Sequence, residues 1–155
     1  MATFHAKSRL HAPATAVADF HARPDALKRL TPPPIFVQIH ALDALDEGAR
    51  ADFTLWFGPL PVRWLAVHYA VDLHSGFSDT QARGPLKCWV HTHRWRAVPD
   101  SDGSETTLLE DQIDYDHHPG IRGLLTRLLF ARPLLRVMFA YRHWVTRRAV
   151  EGRQR

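Results

Sequence analysis

Between Cys88 and Arg96 the chain alternates with period two, and the face that should be buried carries two histidines. Trp89, His91, His93 and Trp95 fall on one side, and Val90, Thr92, Arg94 and Arg96 on the other. A strand points successive side chains to opposite faces, so the aromatic side is the inner one. The stretch from Thr107 to Asp116 reads the same way, with Thr107, Leu109, Asp111, Ile113 and Tyr115 inward and Asp111 as the ionisable misfit. Burying an ionisable group is costly unless it is paired. The two strands therefore either hold a private polar network or line a wet cavity, and a cavity implies a ligand. If the hairpin loop from Pro99 to Ser104 is centred near Ser101-Asp102, His93 falls opposite Asp111 and His91 opposite Ile113.

The rest of the chain places these strands in an antiparallel sheet. Thr3 to His11 alternates and reads as a first strand. Pro13 to Ala22 and Asp25 to Leu30 read as two short helices split by Arg23-Pro24, with Asp25 as the N-cap of the second. Thr31-Pro32-Pro33-Pro34 cannot be helical. Strands follow in series: one around Ile35, Val37 and Ile39, then Ala49 to Phe57, Val62 to Leu73 and Phe77 to Arg83. Turn signals at Gly48, Gly58-Pro59-Leu60-Pro61, Ser75-Gly76 and Gly84-Pro85 separate them. Gly123 to Ala131 has helical spacing, and Pro133 marks either a second helix start or a kink. Beyond it Leu135, Met138, Phe139 and Val145 recur at helical spacing, and Leu134, Val137, Tyr141 and Trp144 widen the stripe. The expectation is an α+β fold: six to seven antiparallel strands curved around a long C-terminal helix, with two short helices after the first strand.

Length and composition narrow the function classes. A chain of 155 residues is enough for one domain with a sizeable core, expected over residues 1–150 with a disordered basic tail at 151–155. One cysteine, Cys88, excludes an internal disulfide and fits a reducing cytoplasm. The N-terminal residues hold no apolar run of signal-peptide length. No transmembrane segment is expected, because the most apolar stretch, Ile121 to Ala140, contains four arginines. Charge is unevenly placed: Pro119 to Arg155 holds 9 Arg and 1 Glu, whereas the preceding part is acidic. Such a segment could meet nucleic acid or an anionic membrane. The expectation here is no nucleic acid, with the apolar face of that segment lying on the sheet.

Several stretches together resemble the SRPBCC superfamily, the helix-grip, Bet v 1-like or START-like group, and within it the bacterial polyketide cyclase/dehydrase-like branch. They are Pro24 to Pro33, Gly58 to Trp64, Gln81 to Pro85 leading into Trp89 to His93, Asp111 to Tyr115, and Phe139 to His143. The likeness covers nearly the whole chain. It implies a cavity between sheet and C-terminal helix, and a superfamily of lipid carriers, receptors and aromatase/cyclases. In this branch a similar domain is sometimes joined to a sugar-nucleotide-epimerase-like domain.

Three chemistries are open. His91 and His93 stand about 7 Å apart along a strand and could grip zinc with Asp111 as a third ligand. The resemblance points to no metal, and no cofactor is expected. A His–Asp pair beside an aromatic pocket could also act in acid–base catalysis of the cyclase or dehydratase type, through His91, His93 and Asp111. No nucleophile elbow, dinucleotide fingerprint or P-loop is present. The leading expectation is non-covalent binding of a hydrophobic or aromatic small molecule, with Gln81, Trp89, His91, His93, Trp95, Asp111, Tyr115, Tyr141 and Arg142 as ligand-binding residues. The sequence leaves the ligand and the oligomeric state open.

Overall fold

The computed structural model describes residues 1–100 and 103–152. The centre of the hairpin loop at Ser101-Asp102 and the tail at 153–155 lie outside the described residues. Seven strands are present: β1 (Ala2–Leu10), β2 (Phe36–Leu42), β3 (Arg50–Phe57), β4 (Leu60–Asp72), β5 (Gly76–Arg83), β6 (Cys88–Pro99) and β7 (Glu105–Asp116). They form one curved antiparallel sheet in the order β1-β7-β6-β5-β4-β3-β2. The helices are α1 (Ala14–His21), α2 (Ala26–Leu30), α3 (Leu124–Leu129) and α4 (Arg132–Glu151), with a 3-10 turn at Gly120–Gly123. No helix among the described residues is long and apolar enough to cross a membrane.

Period-two patterning sets the inner face of every central strand. Ala51 and Phe53 of β3, Trp64 and Ala66 of β4, Phe77 of β5, Trp89 and Trp95 of β6, and Leu109, Ile113 and Tyr115 of β7 are all buried. Each fully buried large apolar side chain contributes roughly 1.5–3 kcal/mol. Register follows from the pattern, since a one-residue slip would turn this whole set outward. His93 stands opposite Asp111 and His91 opposite Ile113, as the alternation predicts.

The long helix α4 packs on β1, α1 and α2. Pro133 lies at its first turn, where a missing N–H has no cost, so the chain starts a new helix there rather than kinking an old one. Its buried positions are Leu135, Phe139, His143, Val145, Thr146 and Val150. Three residues expected to widen the stripe face solvent instead: Leu134, Val137 and Trp144 are about half exposed or more. Ile121, Leu124, Leu125 and Leu128 are exposed as well. The expectation that the apolar face of this segment packs inward therefore fails for these residues, although Phe130 and Leu135 of the same stretch are buried. Helical spacing alone does not distinguish a face turned to the sheet from one that looks away. Asp25 sits at the N-cap of α2 but makes no cap; its carboxylate is held by the Arg23 guanidinium at 2.7 and 3.0 Å.

The core divides into two apolar clusters. One gathers Phe4, Phe53, Trp64, Trp89, Ile113, Phe130 and Phe139; the other gathers Leu10, Val17, Phe20, Phe77, Trp95, Leu109 and Val145. Three elements pass from one cluster to the other through polar residues: His91 and His93 on β6, Asp111 on β7 and His143 on α4. A layer of ionisable groups thus lies between two hydrophobic ones.

Candidate functional site

A cavity of about 620 Å³ opens between the inner face of β3 to β6, helix α2, the proline segment after it, and the start of α4. Most of its wall is apolar: Ala51, Phe53 and Leu55 of β3, Trp64 and Ala66 of β4, Phe77 of β5, Trp89 of β6, then Phe130, Leu135 and Met138. Arg23, Thr31 and Asp43 line it as well, and the rest of its polar wall is made by His21, His68, Asp79, His91, His93 and Arg142. Few polar groups in an apolar space of this size is the usual make-up of a small-molecule site.

Asp111 organises the polar wall from behind. It is 3% exposed, does not line the cavity, and accepts hydrogen bonds from His91 Nε2 at 2.9 Å and His143 Nε2 at 2.6 Å. An ionised carboxylate only accepts, so both Nε2 atoms carry the proton. The free nitrogen of His91, Nδ1, is thereby turned away from Asp111. His93 Nδ1 lies 2.7 Å from Asp111 Oδ1 but out of line, and makes no hydrogen bond. Ser8 Oγ extends the chain at 2.7 Å from His143 Nδ1. Burial alone would raise the Asp111 carboxyl. The His93 charge and the hydrogen bonds from His143 and His91 overcome that and hold it well below the usual carboxylate range.

Asp79 stands opposite His91 in the β5–β6 ladder. Its Oδ2 is 3.5 Å from His91 Nδ1 and 3.9 Å from His93 Nε2. Burial pushes this carboxyl up. Burial also lowers the His91 imidazole, and takes His93 down to about 4 with the His91 charge assisting. His21 is taken to about 4 by burial and by His93. Its Nδ1 donates to the Val17 carbonyl at 2.8 Å, which leaves Nε2 as the free ring nitrogen. The Arg142 guanidinium lies over the Phe139 ring at 5.3 Å and is lowered by burial. Burial thus biases His21, His91 and His93 towards their neutral forms and moves the Asp79 carboxyl upward from its ordinary value.

Of the residues expected from the sequence, Trp89, His91, His93 and Arg142 line the cavity. Gln81 instead closes the β5–β6 turn, its Nε2 donating to the Leu86 carbonyl and its Oε1 accepting from the Leu86 N–H. Trp95 is 1% exposed and donates to the Leu73 carbonyl at 3.2 Å. Tyr115 is buried beside Trp89. Tyr141 packs at the edge of the second cluster, against Trp144. Sequence reasoning passed over Asp79, His21, His68 and His143. Asp79 shares its face with Phe77, and His143 lies four residues after Phe139, so both had a periodic signal.

No protein-family model matches the chain, and no curated protein matches it either. Solved structures do. A protein of Chromobacterium violaceum superposes with a TM-score of 0.73 at 16% identity, covering 97% of this chain and 99% of that one. Norcoclaurine synthase from Thalictrum flavum, in complex with dopamine and hydroxybenzaldehyde, superposes with a TM-score of 0.63 at 18% identity over 93% of this chain and 86% of that one. A nucleoside-diphosphate sugar epimerase from Corynebacterium glutamicum is 26% identical with a TM-score of 0.62, over 93% of this chain but only 28% of that one. These likenesses rest on the same elements that build the cavity: the antiparallel sheet, the two short helices after β1 and the long final helix. The chain therefore shares the helix-grip fold of these proteins, a curved antiparallel sheet closed on a long final helix.

Proposed function

We propose that this protein binds a hydrophobic or aromatic small molecule, without covalent chemistry, in the cavity between sheet and α4. The cavity itself carries the reading: about 620 Å³ of mostly apolar space, with imidazoles, Asp79 and Arg142 among its few polar groups. That volume suits a ligand of one to a few fused rings or a folded acyl chain. Trp89, Phe53 and Trp64 offer ring faces and edges. Asp79, His91 and His93 would take a hydroxyl or carbonyl of the ligand, and Arg142 a more acidic group. Asp111 would orient the two imidazoles rather than touch the ligand. The ligand-binding unit spans residues 1–150, and the single free Cys88 fits a reducing compartment such as the cytoplasm. In the same fold, the Thalictrum flavum enzyme holds dopamine and hydroxybenzaldehyde, two small aromatics.

A second reading rests on one observation: Asp79 Oδ2 lies 3.5 Å from His91 Nδ1 in the cavity wall, where burial raises the carboxyl and lowers the imidazole. An acid and a base with opposed tuning in one cavity suit proton transfer of the cyclase or dehydratase kind. Native mass spectrometry followed by denaturing extraction, with a thermal-shift screen of aromatic polyketides and lipids, tests the binding reading. A co-purified apolar molecule or a saturable shift is expected. A protein that stays empty and unshifted across both classes would refute it.

A further inference from the structure

The polar wall carries a donor set that hydrophobic binding does not require. Asp79 on β5 and His91 and His93 on β6 each turn one atom towards a common point, and these three atoms lie within 4.8 Å of one another. Asp79 Oδ2 is 3.5 Å from His91 Nδ1 and 3.9 Å from His93 Nε2. Ligands bound at about 2.0–2.2 Å to one tetrahedral ion stand roughly 3.4 Å apart, so the two Asp79–histidine separations are within about half an ångström of that spacing. Behind both rings sits one carboxylate. Asp111 takes the Nε2 proton of His91 and lies against His93 Nδ1, which leaves the opposite nitrogen of each ring for the common point. Metal-bound histidines characteristically hold their second nitrogen on such a carboxylate, which sets tautomer and ring angle.

Two carboxyl groups, Asp79 on one side and Asp111 on the other, face the same pair of imidazoles. Among the described residues, the only buried side-chain polar atom left without a hydrogen bond is His93 Nδ1, on one of the three candidate ligands.

We propose that Asp79 Oδ2, His91 Nδ1 and His93 Nε2 form a site for one divalent transition-metal ion, oriented by Asp111, with the remaining coordination positions open to the cavity. Two imidazoles and one carboxylate suit zinc or iron(II). A cavity ligand bearing a hydroxyl or carbonyl would then meet the ion directly. The site does not depend on what organic molecule the cavity takes.

The test is titration of EDTA-dialysed protein with zinc chloride by calorimetry, and with cobalt(II) by visible absorption. One zinc per chain is expected, together with a cobalt ligand-field band that zinc abolishes. Asp79→Asn should remove both signals while leaving the circular dichroism unchanged, and Asp111→Asn should weaken zinc by about 10–100-fold. Wild-type protein that takes up neither metal stoichiometrically overturns the proposal, whatever the variants do. So does zinc binding of equal strength in wild type and Asp79→Asn, which would place the ion on surface histidines.

A different observation carries a second proposal. Ile121, Leu124, Leu125, Leu128, Leu134 and Val137 are 44–86% exposed. Arg122, Arg127, Arg132 and Arg136, all exposed, are interleaved with them, and no acidic residue occurs from Pro119 to Val150. Leu134 and Val137 also belong to the cavity wall. Exposed aliphatic groups mixed with arginines match an interface where acyl chains lie beneath anionic headgroups. We infer that this face docks on an anionic lipid bilayer and turns the cavity towards it. Flotation with phosphatidylcholine vesicles, with and without phosphatidylglycerol, tests it. Binding only to the anionic vesicles, lost in the double variant Leu124→Glu/Leu128→Glu, is expected. Absence of flotation overturns it, as does a concentration-dependent dimer that the same double variant disperses, since a second copy would then cover the face.

Discussion

Asp111 Oδ2 and His143 Nε2 meet at 2.6 Å inside the protein, joining the middle of β7 to the middle of α4. Both residues are buried, and they come from positions 32 apart in the chain. The same carboxylate accepts from His91, so one side chain ties β7, β6 and α4 together. A buried carboxylate with several charge-assisted hydrogen bonds is a strong local constraint, and its removal leaves the donors without partners.

Asp111→Ala should therefore destabilise the fold by roughly 1–3 kcal/mol, the cost of leaving buried imidazole donors without their acceptor. Urea unfolding followed by tryptophan fluorescence measures it. A change of less than about 1 kcal/mol would mean that water replaces the carboxylate readily.

Acid should weaken the protein before it reaches the ordinary carboxylate range. His21 and His93 are both pushed from 6.5 to about 4, and His91 is lowered too. Between those limits the unfolded chain binds protons that the folded one refuses, so stability falls as pH drops through this window. Asp79 opposes the trend, because its raised carboxyl favours folding at lower pH. Three histidines against one carboxyl leave the net sign with the histidines. Asp111 adds a further loss only below its unfolded value of 3.8. Urea midpoints at about pH 7 and about pH 4.5 give the answer; a midpoint that rises on acidification contradicts it.

Filling the cavity should separate binding from folding. Ala66 is buried yet lines the cavity, next to Ala51 across the β3–β4 ladder. Ala66→Phe projects a ring into open space rather than into packed neighbours, so stability should change by less than about 1.5 kcal/mol. Affinity for whatever ligand the thermal-shift screen finds should fall roughly tenfold or more. Unchanged affinity would place the ligand elsewhere.

Gly76 is where β5 begins against the backbone of His93. Its φ is +139°, and an added Cβ would collide with the His93 carbonyl. Gly76→Ala should cost roughly 1–3 kcal/mol and shift the His93 ring. Thermal melting gives the first effect, and the His93 imidazole resonances give the second. A variant with wild-type melting would show that the turn relaxes freely.

Much of the fold was legible in the residues. The inward faces of β6 and β7, the register that sets His93 against Asp111 and the turn at Ser75-Gly76 follow from local rules, whereas Pro133 fitted a restart and a kink equally well and β4 already begins at Leu60, inside the expected turn from Gly58 to Pro61. Period-two alternation, proline and glycine act within a few residues, so one sequence reports them directly. The site was legible in part, because an ionisable residue on an apolar face announces itself as His91, His93 and Asp111 do. What lay beyond reach was which distant groups would complete the cluster. Asp79 and His143 carry the same periodic signal as many residues that merely pack, and only the closing of β5 beside β6 and of α4 over β7 decides that both converge on the same pair of imidazoles. The leucines of α3 show the converse, because helical spacing marks an apolar face without saying what it meets. Local chemistry is written in neighbours along the chain, whereas the direction a face looks and the partners of a buried charge depend on how far-apart segments pack, and that was decided by the tertiary structure.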